Sequence, residues 1–233
     1  IVPNNPHNSL KFYKLKPKGQ RTDTSDFTRV PVASTQGHGL GFGDINGDGR
    51  GDFITADGWL EAPPDPLKGK WVLHREFDLG TASIPVLVED VNGDGRNDLI
   101  AGDAHGYGLN WYEQKVSSSG TRTWVKHPID PFNSQYHTMR WVDIDGDGQG
   151  ELITGKRYRA HNGGDPGSND PIGLYYYKWN GDSFVKNVTS YGPLGVGKGT
   201  GLYFVTADLR GPGRQDIIVA GKEGLYVVFN EGD

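Results

Sequence analysis

The sequence contains no cysteine and a single methionine in 233 residues. Disulfides, thiol chemistry and sulfur-bound zinc are therefore excluded, although the absence of cysteine leaves the compartment open. No apolar run approaches the roughly 18 residues of a membrane helix, so we expect neither a spanning segment nor a membrane partner. Cationic residues are also too few for a nucleic-acid footprint, because 24 lysines and arginines face 29 acids and the net charge is −5.

Glycine is what the chain has in excess, at 36 residues, together with 14 prolines and 11 tyrosines. Glycine and proline interrupt helices, and no segment keeps a 3.6-residue apolar period for more than a turn or two. The aromatic and aliphatic content still suffices for a core. The composition therefore predicts an all-β protein with many turns and almost no helix.

An acidic segment recurs four times, at 42–55, 88–102, 141–155 and 204–221. The copies are spaced at roughly the length of one four-stranded propeller blade. The acidic loop is followed by a β-rich run (strand B), a Gly-Leu-aromatic strand (strand C) and an outer strand that begins with an aromatic residue (strand D). With the strand before the loop as strand A, each unit reads A, loop, B, C, D. The pattern predicts a β-propeller of antiparallel four-stranded blades, with the acidic loops in the A–B turns.

The repeats divide the chain into a disordered or extended N-terminus at 1–9 and one propeller domain at 10–233. Four blades are visible. A strand at 27–32 is expected to complete the last blade and close the ring, which leaves one C-type strand spare. The alternative is that the four blades belong to a larger ring.

The acidic loops have the composition of calcium sites. Calcium takes six to eight hard oxygen ligands from a flexible loop, and alternating carboxylates separated by glycines supply them. The alternative is a solvated Asp-Gly turn. Three copies are expected to bind calcium, each with a backbone carbonyl as the fourth ligand: Asp44, Asn46, Asp48, Arg50 and Asp52; Asp90, Asn92, Asp94, Arg96 and Asp98; and Asp143, Asp145, Asp147, Gln149 and Glu151. In the fourth copy Arg210 and Pro212 occupy ligand positions, so we expect a guanidinium there in place of the metal.

In antiparallel blades the A–B turns, which hold the acidic loops, lie on one face of the disc, and the B–C and D–A connections lie on the opposite face. Candidate functional groups concentrate on this second face. Four of the seven histidines fall on it, namely His38, His105, His137 and His161. With Asp57 or Asp103 nearby, they could hold zinc or a similar ion, or work without metal as a base beside a cation. The alternative is that they hydrogen-bond loop backbone around a watery channel. The longest B–C insert, 155–167, exceeds what the scaffold needs and is a further candidate for function.

The acidic segments resemble FG-GAP (VCBS-type) propeller repeats, through Phe42-Gly43-Asp44 to Asp52 and its copies, over nearly the whole chain. This resemblance implies a propeller with bound calcium. Other segments resemble the propeller domain of the aldos-2-ulose dehydratase family: 38–44, 58–63, 135–141 and the insert from Lys156 to Asp165. That family eliminates water from keto-sugars such as anhydrofructose, using a histidine base and a zinc ion, which the resemblance places at His137 or His161.

Two function hypotheses follow, with a protein-interaction module as a third. As a sugar dehydratase, the protein would use His137 or His161 as base, with Lys156, Arg157 or a histidine-bound ion stabilising the enediolate. As a lectin, it would stack sugar on aromatic residues, with polar groups fixing the orientation. The residues expected to contact sugar are Trp59, Tyr107, Trp111, Tyr158 and Asp103. Packing between blades is the alternative for many of the aromatic residues, above all for Trp111, which repeats in register with Tyr176 and Val227. The single glycosylation sequon at Asn187 favours a secreted or extracytoplasmic protein.

Overall fold

The computed structural model describes residues 2, 8–22, 26–211 and 213–232. In these ranges the chain forms strands and two short 3-10 helices, Lys18–Gln20 and Ala160–Gly163. No helix in the same ranges is long and apolar enough to cross a membrane. The all-β class predicted from composition is therefore confirmed. The N-terminus predicted to be disordered lies mostly outside the described residues.

Four antiparallel meanders follow a short hairpin, and we number them blades 1 to 4. The hairpin consists of β1 (Leu10–Leu15) and β2 (Phe27–Ala33). Blade 1 contains β3 (Leu40–Gly43), β4 (Asp52–Thr55), β5 (Gly58–Glu61) and β6 (Val72–His74). Blade 2 contains β7 (Leu87–Glu89), β8 (Asp98–Gly102), β9 (Tyr107–Val116) and β10 (Arg122–Ser134). Blade 3 contains β11 (Met139–Val142), β12 (Glu151–Gly155), β13 (Ile172–Trp179) and β14 (Phe184–Gly192). Blade 4 contains β15 (Phe204–Ala207), β16 (Asp216–Gly221) and β17 (Gly224–Val228).

Each meander begins with the predicted A strand. Blades 1 to 3 pair in the order A, B, C, D, as a propeller blade does, and the described part of blade 4 pairs in the order A, B, C. The second strands are buried along their whole length in blades 1 to 3, because a sheet partner lies on each side and another blade on each face. This explains their continuous apolar pairs, such as Leu99-Ile100 and Leu152-Ile153. Fully burying one such side chain contributes about 1.5 to 3 kcal/mol.

The hydrophobic cores lie between successive blades. Blades 1 and 2 share a core around Ile54 and Leu99, blades 2 and 3 a core around Ile100 and Leu152, and blades 3 and 4 a core around Ile153 and Ile217. The innermost strands of blades 1 and 2 meet at Gly41, where an added Cβ would lie 2.5 Å from the carbonyl oxygen of Val86. Only glycine fits this approach.

The predicted closure of the ring by the N-terminal strand is wrong for this structure. β2 pairs with β1, and blade 4 has three strands in the described part of the chain. The reason is packing: Leu10 of β1 is fully buried against Leu40 and Phe53. That contact keeps the hairpin on blade 1, where β1 and β2 form a separate two-stranded sheet.

Candidate functional site

Four histidines from four different connections converge on one side of the disc. The ring centroids of His38 and His105 lie 4.5 Å apart, those of His38 and His137 5.6 Å, and those of His105 and His137 6.1 Å. His161 stacks on His105 at 4.6 Å. The structure thus brings together the four residues that the sequence assigned to this face. We call them the histidine cluster.

Hydrogen bonds fix which nitrogens of His38 and His105 carry protons. Nδ1 of His38 lies 2.8 Å from the carbonyl oxygen of Ala82, and Nδ1 of His105 lies 2.8 Å from Oδ2 of Asp165. Both oxygens are acceptors, so each Nδ1 is the donor. In the neutral rings both Nε2 atoms then present lone pairs, yet these two atoms are 2.9 Å apart. Two lone pairs at that distance repel, so a proton or a metal cation is required between them.

Protonation of His38 and His137 is disfavoured. Burial lowers the pKa of His38 below its ordinary value, and the charges of His105 and Arg157 add to the effect. Burial also lowers the pKa of His137 to about 3, with further contributions from Arg157 and the other histidines. Neutral imidazoles are the form that binds metal. One ligand atom each from His38, His105 and His137 lies within 4.8 Å of the others.

His137 has a buried nitrogen without a partner. Its side chain is 8% exposed, and no described residue accepts or donates a hydrogen bond at Nδ1. A buried polar atom left in this state costs about 1 to 3 kcal/mol. The orphaned atom, the facing Nε2 pair and the lowered pKa values together fit a three-histidine ligand set for a divalent transition metal.

Asp165 connects the cluster to His161. Its Oδ2 accepts the hydrogen bond from His105, and its Oδ1 lies 3.0 Å from Nδ1 of His161. Partial burial opposes ionisation of Asp165, but the hydrogen bonds from the two histidines outweigh it and hold its pKa below the usual range. The His161 side chain is 58% exposed. Its Nε2 is the nitrogen not used in the contact with Asp165.

Backbone strain is concentrated in the two segments that carry this site. Within the described ranges, the non-glycine residues with positive φ are Gln135 (64°), Arg159 (48°), His161 (47°) and Asn162 (61°). Gln135 lies two residues before His137, and the other three belong to the insert. Such conformations cost of order 1 kcal/mol each and persist where the surroundings impose them, commonly at functional sites.

The insert is fastened by Lys156, which corrects one prediction. Its ammonium donates to Oγ of Ser134 at 2.7 Å and to the carbonyl oxygen of Gly167, and the side chain is buried. Lys156 therefore braces the insert against β10 and does not serve as an enediolate stabiliser. Arg157 is the cation whose charge reaches His137 and His38.

Other predicted site residues are placed differently. Trp59 is 1% exposed, with the ring of His74 stacked on it and the guanidinium of Arg122 5.0 Å from its ring centroid, and Trp111 is 6% exposed. Both tryptophans pack inside the protein, as the packing alternative expects.

The remaining polar candidates on this face have partners of their own. The Tyr107 hydroxyl, on an exposed ring, donates to Asp170 at 2.6 Å. Asp103 accepts from the Thr81 hydroxyl, and Asp57 pairs with Arg75. Tyr158 is half-buried.

A cavity of about 430 Å³ adjoins His137. Its walls are largely apolar: Leu40, Phe42, Ile84, Pro85, Leu202 and Tyr203. The volume is in the range of small-molecule sites. Of the histidine cluster, His137 lines this space, whereas His38, His105 and His161 are not among its lining residues.

The three acidic loops share one backbone design. In each loop the first aspartate accepts hydrogen bonds from backbone amides of the loop. The distance from its Oδ2 to the backbone nitrogen five residues later is 2.7 Å for Asp44 and Gly49, 2.8 Å for Asp90 and Gly95, and 3.0 Å for Asp143 and Gly148. The last acids, Asp52, Asp98 and Glu151, are buried. Burial raises the pKa of Asp98 to about 6.

Each loop also receives a cation from the protein itself. Arg50 pairs with Asp48, Arg96 with Asp94, and Lys178 with Asp145. In the fourth copy the guanidinium of Arg210 lies 3.3 Å from Oδ1 of Asp216 and 2.9 Å from Glu231. Pro212 lies outside the described residues. These cations offset part of the carboxylate repulsion.

Comparison with known proteins supports the repeat assignment. Residues 90–154, which span the second and third acidic loops, match the family model of the FG-GAP-like repeat. The match and the four-blade arrangement together support an FG-GAP β-propeller fold. No curated protein matched the chain.

Sequence reasoning missed the role of Asp165, which holds two histidines in place. The sequence places it in the insert, but no local pattern links it to His105 in another blade.

Proposed function

We propose that the protein is a metal-dependent acid–base catalyst whose site is the histidine cluster, and that it removes the elements of water from a polyhydroxylated carbonyl compound. The observation that carries this proposal is the pair of Nε2 atoms 2.9 Å apart, each with its Nδ1 proton committed elsewhere. His38, His105 and His137 would hold the metal. A zinc-like ion supplies Lewis acidity toward a carbonyl or hydroxyl oxygen.

The proton-accepting role falls to His161 in this proposal. Asp165 accepts the Nδ1 proton of His161, which leaves a lone pair on Nε2 and stabilises the cation formed when that atom takes a proton. His137 is the less suitable base, because burial and nearby positive charge disfavour its protonation. Of the two bases expected from the sequence, the proposal therefore adopts His161.

The reaction balances without an oxidant or reductant. His161 takes the proton from the carbon next to the carbonyl, the C–H electron pair becomes the new C=C bond, and the β-hydroxyl leaves with a proton as water. A substrate must therefore carry a carbonyl and a hydroxyl β to it, as keto-sugars do. The resemblance of four segments to the aldos-2-ulose dehydratase propeller supports the same reaction class.

The test combines metal analysis with a dehydration assay. Purified protein loaded with zinc should bind about one transition-metal ion per chain and convert 1,5-anhydrofructose into an ultraviolet-absorbing enone. His161→Asn keeps a residue that tolerates the left-handed backbone; it should abolish turnover and retain the metal. His127→Gln is the control, since His127 stacks on Trp111 away from the cluster. Absence of both metal binding and turnover would refute the proposal.

Sugar binding without chemistry is the alternative that the structure weakens. Of the four aromatic residues expected to stack on sugar, the two tryptophans are buried. Tyr107 and Tyr158 remain, and Tyr107 presents an exposed ring. Glycan binding that survives removal of the metal and substitution of His161 would favour this alternative.

We further propose that the first three acidic loops bind calcium and stiffen the blades. Support comes from the donor set: in the third loop, carboxylate oxygens of Asp143, Asp145 and Glu151 lie within 4.8 Å of one another. Calcium at the millimolar level of extracellular fluids would suit such loops, in keeping with the proposed secreted location.

The fourth copy provides a matched control for calcium. Asp90→Asn should lower the calcium stoichiometry, measured by calorimetry, from three to two. Asp208→Asn changes the equivalent first position of the fourth copy, which also accepts an amide hydrogen bond, and should leave the stoichiometry unchanged. Equal effects of the two substitutions would contradict the assignment.

A further inference from the structure

Arg157 brings a permanent positive charge to the histidine cluster; the charge of Asp165 acts on it, but no described residue forms an ion pair with its guanidinium. Its backbone nitrogen donates to the carbonyl oxygen of Gln135 at 3.0 Å, which places it beside the strained segment that leads to His137. Next to burial, its charge is the largest influence that lowers the pKa of His137. Its charge acts on His38 as well, so the guanidinium lies within electrostatic range of two members of the cluster.

The guanidinium of Arg157 has unused hydrogen-bonding capacity. Its side chain is half-buried, yet it forms no hydrogen bond or ion pair with any part of the chain that the structure describes. The nearby acids are engaged: Asp165 with two histidines, Asp103 with Thr81, and Asp170 with Tyr107. A partly desolvated cation in this state is costly, and an anion that reached it would recover that cost.

A carboxylate is the anion that suits this group. The guanidinium offers a planar fork of N–H donors, which matches the two oxygens of a carboxylate. The three acids near the site, Asp165, Asp103 and Asp170, are each held by the hydrogen bonds given above, so none of them forms an ion pair with Arg157. The guanidinium therefore favours a negatively charged ligand over a neutral one.

We propose that Arg157 makes the site selective for a sugar acid, whose carboxylate it binds while His161 faces the neighbouring carbon. This inference rests on the proposed function and names its substrate class. In a uronic acid the hydrogen on C5 is adjacent to the carboxylate, and the hydroxyl on C4 is β to it. His161 takes the C5 proton, the C4=C5 bond forms, and the C4 hydroxyl leaves as water.

Arg157 also contributes to the chemistry in this arrangement. Proton removal next to a carboxylate places a second negative charge on the carboxylate oxygens. A guanidinium bound there stabilises that charge as it develops. Arg157 is then a specificity-determining residue that also lowers the barrier, whereas a neutral keto-sugar would leave it unused.

The test is a binding comparison that does not depend on turnover. Zinc-loaded protein is titrated by calorimetry with D-glucuronate and with D-glucose, which has the same ring without the carboxylate. We expect glucuronate to bind at least tenfold more tightly and to weaken as salt is raised. Arg157→Gln should remove the preference, and Arg157→Lys should keep part of it. Arg159→Gln is the matched control, because Arg159 is an exposed cation of the same insert.

The outcomes separate this inference from the proposed function. Equal binding of the two sugars, no binding of glucuronate, or equal effects of the Arg157→Gln and Arg159→Gln substitutions would overturn the inference. Turnover of anhydrofructose that Arg157→Gln reduces as strongly as it reduces glucuronate binding would overturn it too, while upholding the dehydratase, because a neutral keto-sugar leaves Arg157 unused. Glucuronate binding that requires Arg157, in a protein without metal or turnover, would uphold the carboxylate site and refute the catalyst. If Arg157→Gln fails to fold, Arg157→Lys decides, because a preference for glucuronate that this substitution leaves at the wild-type level would overturn the role of the planar fork.

Discussion

Replacement of Asp165 by asparagine separates the two tasks that this carboxylate performs. In the wild-type protein both its oxygens accept, one from Nδ1 of His105 at 2.8 Å and one from Nδ1 of His161 at 3.0 Å. An asparagine side chain has one accepting oxygen and one donating NH₂ group. In Asp165→Asn, one of the two histidines must therefore face a donor.

The consequence depends on which histidine meets the NH₂ group. If it is His161, its proton moves to Nε2, and the ring no longer accepts a proton from substrate. The corresponding tautomer error in a serine protease, where asparagine replaces the aspartate of the catalytic triad, lowers turnover by about 10⁴-fold. If it is His105, Nε2 of that ring loses its lone pair, and we expect metal affinity to fall by about 10- to 100-fold or more.

Two measurements on one protein distinguish these cases. Zinc affinity is obtained by competition with a chromophoric chelator, and turnover is measured at saturating zinc. Asp170→Asn, three residues beyond the insert and bonded to Tyr107, serves as the control and should leave both quantities close to wild type. Unchanged zinc affinity together with unchanged turnover in Asp165→Asn would refute the role assigned to this residue.

Three further predictions concern stability. Asp130→Asn leaves Lys186 without its charged partner in a buried network, so urea denaturation should show a loss of about 3 to 5 kcal/mol in the free energy of unfolding; an unchanged midpoint would contradict this. Burial lowers the pKa of Lys156 to about 8 from 10.5, so the folded state releases its proton first. The free energy of unfolding of the wild type, measured relative to Lys156→Met, should then increase by up to about 3 kcal/mol as the pH rises from about 8 to 10.5. A difference that does not change with pH would contradict this prediction. Gly41→Ala should lower the free energy of unfolding by about 1 to 3 kcal/mol, because the added methyl group would contact the backbone of Val86. A variant as stable as the wild type would show that the two innermost strands move apart at little cost.

The sequence predicted the blades because their signal is local and repeated. The loop that begins at Asp44 recurs with its flanking strands, and each recurrence defines the A and B strands of one blade. His38 and His137 could be matched for the same reason, since both precede an A strand at the same position. Where the signal is periodic, the sequence determines both the fold and the face on which a residue lies.

The parts that sequence reasoning could not supply depend on contacts between distant segments. Asp165 meets His105 across two blades, and nothing near either residue announces the pairing. The direction of Lys156 is set by the carbonyl of Gly167, at the far end of an irregular insert. The burial of Trp59 depends on Arg122 of the next blade. The position of β2 likewise depends on the packing of Leu10, which no pattern in the strand itself reveals.

X-ray absorption at the zinc edge tests the central claim most directly. On zinc-loaded protein, the account predicts a metal surrounded by three imidazole nitrogens, with one nitrogen lost in each of the variants His38→Ala, His105→Ala and His137→Ala. A spectrum dominated by carboxylate oxygens, or one that the three substitutions leave unchanged, would contradict it.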